Sequence, residues 1–377
     1  MRGDSALKST ITTSAHFPTA SFDAQDRVFA QAFAILAQGI SERAFPGASV
    51  AVTHQGKLVA LKGLGRFTYD SGSPEVKAET VFDLASVSKV VTTTAMAMIL
   101  YERGHLDLEA PVAGILPEFA SEGDERRRRI SMRMLLAHSS GLPAYKRLFE
   151  KALTREALLR AALTAPLESD PGACAEYSDV GFIVLGVALE RIAGEALDSF
   201  CRREVFGPLG MALTTFRPPA AWKSKISPTV DDRDFRKRIV QGEVHDENAS
   251  VLGGVAGHAG VFAPAADVAT FAHVMLGGGA PILRPETVAL FTRRERSPAG
   301  TSRALGWDTP SSPSQSGKHF SARSFGHLGY TGTSLWIDPE RRLSVTLLTN
   351  RTWPDCSSEK IKQLRPKFHD AVVEALR

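Results

Sequence analysis

The stretch FDLASVSKVV, residues 82–91, sets Ser86 and Lys89 three positions apart at the front of an apolar run that continues TTTAMAMIL. On a helix, positions i and i+3 share a face. Ser86 would then lie at the helix N-terminus, where free backbone N–H groups and the dipole favour developing negative charge. A serine hydroxyl is a weak nucleophile until a neighbouring base takes its proton. A buried lysine beside it, its ammonium form disfavoured or shared, can accept or relay that proton. Nucleophilic attack on a carbonyl is the chemistry this pair offers. A purely structural reading also fits, with Ser86 as an N-cap and Lys89 as a snorkelling side chain. S-x-x-K occurs three times, at Ser5–Lys8, Ser86–Lys89 and Ser357–Lys360. The first copy lies in a polar leader and the last in a solvated segment. Only the middle copy opens a run that is apolar on most sides.

Two further segments carry groups that could serve such a serine. In CAEYSDVGFIVLGVALERIAG, Tyr177 and Asp179 precede an apolar helix. Asp179 or Ser178 could be its N-cap and Tyr177 a staple against it. Alternatively, the Tyr177 phenol shuttles a proton to and from Ser86. In FGHLGYTGTSLWIDP, the strand ending His327-Leu328-Gly329 lets another backbone approach, because Gly329 has no side chain. A substrate could lie along it with its carbonyl oxygen held by two backbone N–H groups, an oxyanion hole; an ordinary glycine-bearing hairpin strand is the other reading.

The elements that must position these groups follow from pattern. Residues 23–45 show apolar spacing of a helix, and GASVAVTHQGKLVALKGLG reads as a hairpin around Gln55-Gly56. From residue 82 to about 290 the chain turns largely helical, then returns to strands with a turn at Asp338-Pro339-Glu340-Arg341 and closes on a helix. This order predicts an α+β fold. An antiparallel sheet domain built from residues 23–81 and 291–377 would be flanked by helices, with a mostly helical domain, residues 82–290, inserted. The site would lie in the cleft between them. Residues 1–22 read as a flexible leader, and PSSPSQSGK, residues 310–318, as a short flexible loop.

Composition narrows the function class. With 377 residues, 43% hydrophobic and 23% charged, the chain has an ordinary globular make-up, and a formal charge of +4 is too small for a nucleic-acid-binding face. The run Arg126–Arg129, beside Glu122, Asp124 and Glu125, reads as a solvated turn. Cys174, Cys201 and Cys356 form neither a disulfide framework nor a metal-binding CxxC, although spacing alone leaves a Cys-His pair open. No apolar run reaches membrane-spanning length. The leader lacks a signal-peptide h-region, which suggests a cytoplasmic protein or a mature periplasmic form. His245, Asp246 and His258 lack the i,i+4 spacing of a metal pair, so no metal or other cofactor is expected; His245 or Asn248 could instead touch substrate. His138 reads as a structural loop residue. No G-x-S-x-G is present, which removes the α/β-hydrolase elbow as the source of the nucleophile.

In order along the chain, FDLASVSKVVTTTAMAM, LLAHSSGLPAY, YSDVGFIVLG, GPLGM, VHDENASVLGGVAGHAGVF and FGHLGYTGTSLWIDPERRLSVTLLTNR together resemble the class C β-lactamase-like serine hydrolases. That superfamily holds class C β-lactamases, penicillin-binding D-alanyl-D-alanine carboxypeptidases and family VIII carboxylesterases. The resemblance spans about residues 25–375, and its wording is closest to the penicillin-binding carboxypeptidase-like branch. It implies a β-lactamase/transpeptidase-like fold. It also implies Ser86 as acyl-forming nucleophile, Lys89 as its proton partner, Tyr177 as base, and the N–H groups of Ser86 and Tyr330 as the oxyanion hole. His327-Leu328-Gly329 falls on the family's Lys-Thr-Gly strand.

Three positions depart from the family's pattern. Asp179 stands where the family's Tyr-x-Asn ends, and a carboxylate there would hold Lys89 protonated, favouring Tyr177 as the base. His327 replaces the Lys-Thr-Gly lysine with an ambivalent cation. Asp355 stands where class C lactamases carry an asparagine and would repel an anionic substrate, although Arg351 could restore positive potential. These changes point to a carboxylesterase with weak β-lactamase action. A D-alanyl-D-alanine carboxypeptidase or class C β-lactamase is the alternative, and a non-catalytic penicillin-binding-like scaffold the competing class. The partners expected are small-molecule esters, β-lactams or peptides, with no nucleic acid and no membrane span; the oligomeric state is open.

Overall fold

The computed structural model describes residue 22, residues 24–120 and residues 123–377. The expected leader and the Ser5–Lys8 copy of S-x-x-K lie almost wholly outside the described residues. Among those described, the strands are β1 (Gly47–His54), β2 (Lys57–Gly65), β3 (Phe82–Asp83), β4 (Thr215–Phe216), β5 (Val230–Asp232), β6 (Arg238–Val240), β7 (Val261–Ala263), β8 (Phe325–Leu328), β9 (Ser334–Asp338) and β10 (Leu343–Thr349).

β1 and β2 join through Gln55 and Gly56, whose φ values of 54° and 80° suit a tight hairpin turn. Their sheet runs β2-β1-β10-β9-β8, antiparallel throughout, so both ends of the chain share one sheet and β8 forms its edge. Side chains alternate across it. Val50 and Val52 of β1 face a core shared with Phe33, Leu36, Phe368 and Val372 from the helices Ala30–Ser41 and Ile361–Glu374. Ala51 faces the opposite core with Val268 and Phe271 from the helix Ala265–Leu276. Each such aliphatic or aromatic side chain contributes roughly 1.5–3 kcal/mol when fully buried.

The intervening chain is mostly helical but holds two small sheets, β3-β7-β4 and β5-β6, that periodicity did not indicate because their strands run only two or three residues. At its centre, the helix Asp179–Ala193 starts from Ser178, whose Oγ accepts from the Gly181 amide at 2.8 Å, and ends on left-handed Gly194. Two expectations need correction. Arg127 is not solvated: its guanidinium is buried and donates to the carbonyls of Phe119, Ala165 and Leu163. Residues 310–318 are pinned as a loop, since the amides of Lys318 and His319 both donate to Asp370 Oδ1 on the last helix.

Candidate active site

Ser86 does not open an α-helix. It sits in a 3₁₀ turn, Ala85–Val87, followed by a wide π turn, Lys89–Thr94, before regular helix begins at Ala95. Wide turns of this kind concentrate at functional sites. Ala85 just before it has φ +47°, the left-handed region that an alanine rarely adopts. Asp83 holds that conformation: its Oδ1 accepts the Ala85 amide at 2.8 Å and its Oδ2 the His245 amide at 2.6 Å.

Burial pushes the Asp83 carboxyl up to about 6, against the pull of those two amides and of Arg236, with Asp246 adding to the rise. Below that pH it gains a proton, one oxygen becomes a donor, and one amide bond is lost. The turn that aims Ser86 is therefore intact above about pH 6 and loosens as pH falls through it. The acid limb of kcat/KM for a neutral ester is expected near pH 6, and Asp83→Asn is expected to flatten that limb at a reduced rate. A pH–rate profile of both proteins reads this directly.

Lys89 and Tyr177 meet at Ser86, and Asp179 joins the two behind it. Lys89 Nζ donates to Ser86 Oγ at 2.9 Å, to Asp179 Oδ1 at 2.6 Å and to the His258 carbonyl at 2.8 Å. The lysine is 0% exposed. Three acceptors match the three donors of an ammonium and would leave a neutral amine one hydrogen short. Burial pulls Lys89 below its usual range of 10.5 while Asp179 opposes the shift. Tyr177 Oη lies 2.6 Å from Ser86 Oγ and donates to Asp179 Oδ1 at 2.9 Å. The Ser86 hydroxyl is therefore left to donate to Tyr177. Burial, reinforced by the Asp179 charge, pushes the phenol well above 10, so a phenolate is not the resting state. Tyr177 can pass a proton on; it does not wait as a charged base.

Local structure fixes each partner. The Ser178 amide donates to His138 Nδ1 at 3.0 Å and its hydroxyl to the Pro143 carbonyl at 2.6 Å, which anchors Tyr177 and Asp179 on either side. The His258 carbonyl reaches Lys89 because Gly257 packs directly on Gly186 of the central helix; a Cβ on Gly257 would lie 2.1 Å from the Phe182 carbonyl. At the β8 end, Thr331 Oγ1 and Thr333 Oγ1 donate to the carbonyls of Asp83 and Leu84 at 2.9 and 2.8 Å. They bind the turn carrying Tyr330 against the backbone of Ser86. Gly329 permits this approach, since a Cβ there would sit 2.5 Å from the Leu84 carbonyl.

The cleft has a volume of about 870 Å³, with Ser86, Tyr177, Asp179, His245, His327, Gly329 and Tyr330 on its walls. Tyr145 and Tyr330 offer it exposed aromatic rings, and His245 stacks on Tyr330 at 5.6 Å. His327 is no cation: burial, with Lys89 and Arg303 nearby, lowers it to about 3. Two sequence candidates fall away. Asn248 is 1% exposed and spends its amide on the Phe149 amide and the Lys146 carbonyl, so it braces the wall from behind. Asp355 is exposed, caps the Ser357 amide and is absent from the lining. Cys356 does reach the cleft, with Sγ 3.9 Å from His245 Nε2, yet burial raises its thiol to about 11, the reverse of what a nucleophilic cysteine needs. Among the described residues no cluster of three or more His, Cys, Asp or Glu side chains is placed to hold a metal ion. The sequence did not signal Asp83, the His258 carbonyl, or Arg303, whose guanidinium lies 5.5 Å from the Tyr177 ring centre and pairs with Asp308.

A sequence model of the beta-lactamase family matches residues 27–364, most of the chain. The chain belongs to the beta-lactamase family. Within this family it is 33% identical over 345 residues to a Bacillus subtilis (strain 168) protein named N-acetylmuramyl-L-alanine amidase, covering 81% of this chain and 77% of that one. It is 31% identical over 313 residues to a Salmonella agona (strain SL483) protein named as a candidate D-alanyl-D-alanine carboxypeptidase, covering 75% and 72%. Solved structures share the fold. EstCE1, described as a hydrolase with promiscuous acyltransferase activity, superposes with a TM-score of 0.76 at 23% identity over 93% of this chain and 100% of that one. A class C beta-lactamase from Rhodobacter sphaeroides gives 0.71 at 20% identity over 92% and 99%. The chain is thus a serine hydrolase of the beta-lactamase family, with the expected β-lactamase/transpeptidase-like fold.

Proposed function

We propose that this beta-lactamase-family hydrolase cleaves carboxylic esters through an acyl-enzyme on Ser86. One observation carries the reading: the unbroken hydrogen-bond chain Ser86–Tyr177–Asp179, with Lys89 bound to both ends. Ser86 Oγ attacks the carbonyl carbon; its proton moves to Tyr177 as the phenolic proton moves to Asp179. The carbonyl oxygen, now negative, is met by the N–H groups of Ser86 and Tyr330. Collapse expels the alkoxide, which takes a proton back through Tyr177, and the carboxylate of Asp179 is restored. Water then repeats the sequence on the acyl group and releases the acid. Lys89 remains an ammonium that steadies Ser86 Oγ and the carboxylate.

Ester hydrolysis is favoured over β-lactam turnover because the Lys-Thr-Gly lysine is here a neutral histidine, leaving no fixed charge on β8 for a ring carboxylate. Amide hydrolysis is the second reading, and the names of the Bacillus and Salmonella relatives, both denoting amide bonds, support it. Turnover of p-nitrophenyl butyrate, nitrocefin and diacetyl-L-Lys-D-Ala-D-Ala, compared by kcat/KM, separates the two. The ester is expected to be fastest and nitrocefin slow. A peptide preferred over the ester would establish the amide reading, and fast nitrocefin cleavage would contradict the weight given to His327.

A further inference from the structure

Ser86 is supported from two sides, and both supports come from one segment, residues 245–258. On one side the His245 amide donates to Asp83 Oδ2 at 2.6 Å, while Asp83 Oδ1 holds the Ala85 amide at 2.8 Å. On the other, the His258 carbonyl accepts from Lys89 Nζ at 2.8 Å. A side-chain bond closes the segment on itself. His258 Nε2 lies 2.8 Å from Asp246 Oδ1, which also accepts the Ala249 amide at 2.7 Å as the cap of the short helix Glu247–Val251. His258 is 1% exposed, and both residues line the cleft. Buried Arg236, paired with Asp232, donates to the carbonyls of Val244, His245 and Asp246 and so fixes the start of the segment.

The hydrogen-bond inventory sets the charges. A carboxylate only accepts, so His258 Nε2 carries the proton. His258 Nδ1 is buried with no partner, and an imidazolium would bury a second, charged N–H there without an acceptor. Asp246 stays negative: burial raises it, but His258 and the Ala249 amide outweigh burial and hold it at about 2. That charge acts on both supports in the same direction. Burial raises Asp83 and lowers Lys89; the Asp246 charge raises both, the first as a like charge and the second as an opposite one. Of the other groups around Asp246, burial lowers His245 to about 4 and pushes Tyr145 well above its usual range, so neither changes charge near neutral pH. Arg236 and Asp232 form a closed ion pair, and the Glu247 carboxylate, raised by burial, accepts from Tyr145 at 3.4 Å.

We propose that Asp246 and His258 are positioning residues of the hydrolytic site: their bond clasps residues 245–258 so that both supports of Ser86 stay in register, and the charge of Asp246 sets the pH range over which both hold. This rests on the Ser86 acyl-enzyme reading for its effect on rate, but not for its effect on Asp83. Above the lower limit of that range Asp83 is a carboxylate that accepts both amides. Below the upper limit Lys89 is an ammonium with three acceptors. Without the Asp246 charge both limits fall together. Mere loosening of the segment acts differently, since losing the His245 amide would raise Asp83 and move the lower limit up.

The pH dependence of kcat/KM for p-nitrophenyl butyrate tests this. An asparagine at 246 can still cap the helix and accept from His258, so in Asp246→Asn both limbs are expected about half a pH unit or more below those of wild type. In His258→Leu the clasp is open, and kcat is expected to fall about tenfold or more with KM much less affected. His258→Gln, which keeps a donor for Asp246, is expected to recover most of that loss. Independently of turnover, protein labelled with carbon-13 at the aspartate carboxyl carbon reports Asp83, whose signal is identified by its loss in Asp83→Asn. Its midpoint is expected near 6 in wild type and about half a unit lower in Asp246→Asn. Limbs that stay in place or move apart in Asp246→Asn, or a folded His258→Leu protein as fast as wild type, would overturn the clasp; Ser86-dependent turnover in that case leaves the hydrolase reading standing. If His258→Leu does not fold, the Asp246→Asn limbs decide alone. Ester turnover that survives in Ser86→Ala, or none in wild type, would remove the hydrolase reading, and the carbon-13 midpoint then decides: a lower value in Asp246→Asn keeps the clasp, and an unmoved one removes it.

Discussion

Ser86→Ala is expected to lower p-nitrophenyl butyrate turnover by about 10⁴-fold or more while leaving the protein folded. The size follows from the arrangement: without Oγ there is no atom to form the acyl-enzyme, and a water bound in its place lacks the fixed approach to the carbonyl. The fold should tolerate the change. Lys89 keeps Asp179 and the His258 carbonyl as acceptors, and Asp83 still holds the Ala85 turn. Steady-state kinetics with a thermal melt checks both parts. Residual turnover within about a hundredfold of wild type would mean that another nucleophile operates.

Asp179→Asn is expected to cost about 10²- to 10⁴-fold in kcat, with KM much less affected. An asparagine oxygen can still accept from Tyr177 and Lys89, so the site's shape persists. It cannot accept the proton that Tyr177 hands on. It also removes the main counter-charge of a fully buried lysine, so burial, reinforced by Arg303 and opposed by Asp246, then favours its neutral form. The substitution separates two mechanisms sharply. Were a Tyr177 phenolate the base, removing the adjacent negative charge would make that phenolate easier to form, and activity would hold or rise. A loss in kcat on folded protein supports the relay through Asp179.

Much of this site is legible in the chain, because its central groups sit in short segments with strong local signals. Ser86 and Lys89 share a face whether the turn is 3₁₀, π or α, so the spacing argument survives an error in helix type. Tyr177 and Asp179 flank a serine N-cap ahead of a long apolar run. The hairpin at Gln55-Gly56 and the turn after Asp338 name themselves by residue type. What the chain hides depends on distant contacts. Ala85 gives no hint of φ +47°, since only the carboxylate of Asp83 and the packing around it hold it there. Asn248 and His245 look alike as candidates three residues apart, but Asn248 lies in the short helix Glu247–Val251 and faces into the protein, while His245, ahead of that helix, stays on the cleft wall. His327 reads as an ambivalent base in isolation; burial beside Lys89 and Arg303 makes it neutral.

The most direct test is the mass of the protein after exposure to a fluorophosphonate, with the modified peptide mapped. One adduct per chain is expected, on Ser86, formed by wild type and Asp179→Asn at different rates and absent from Ser86→Ala. A folded protein that stays unmodified, or one labelled at any other residue, would contradict an acyl-enzyme on Ser86.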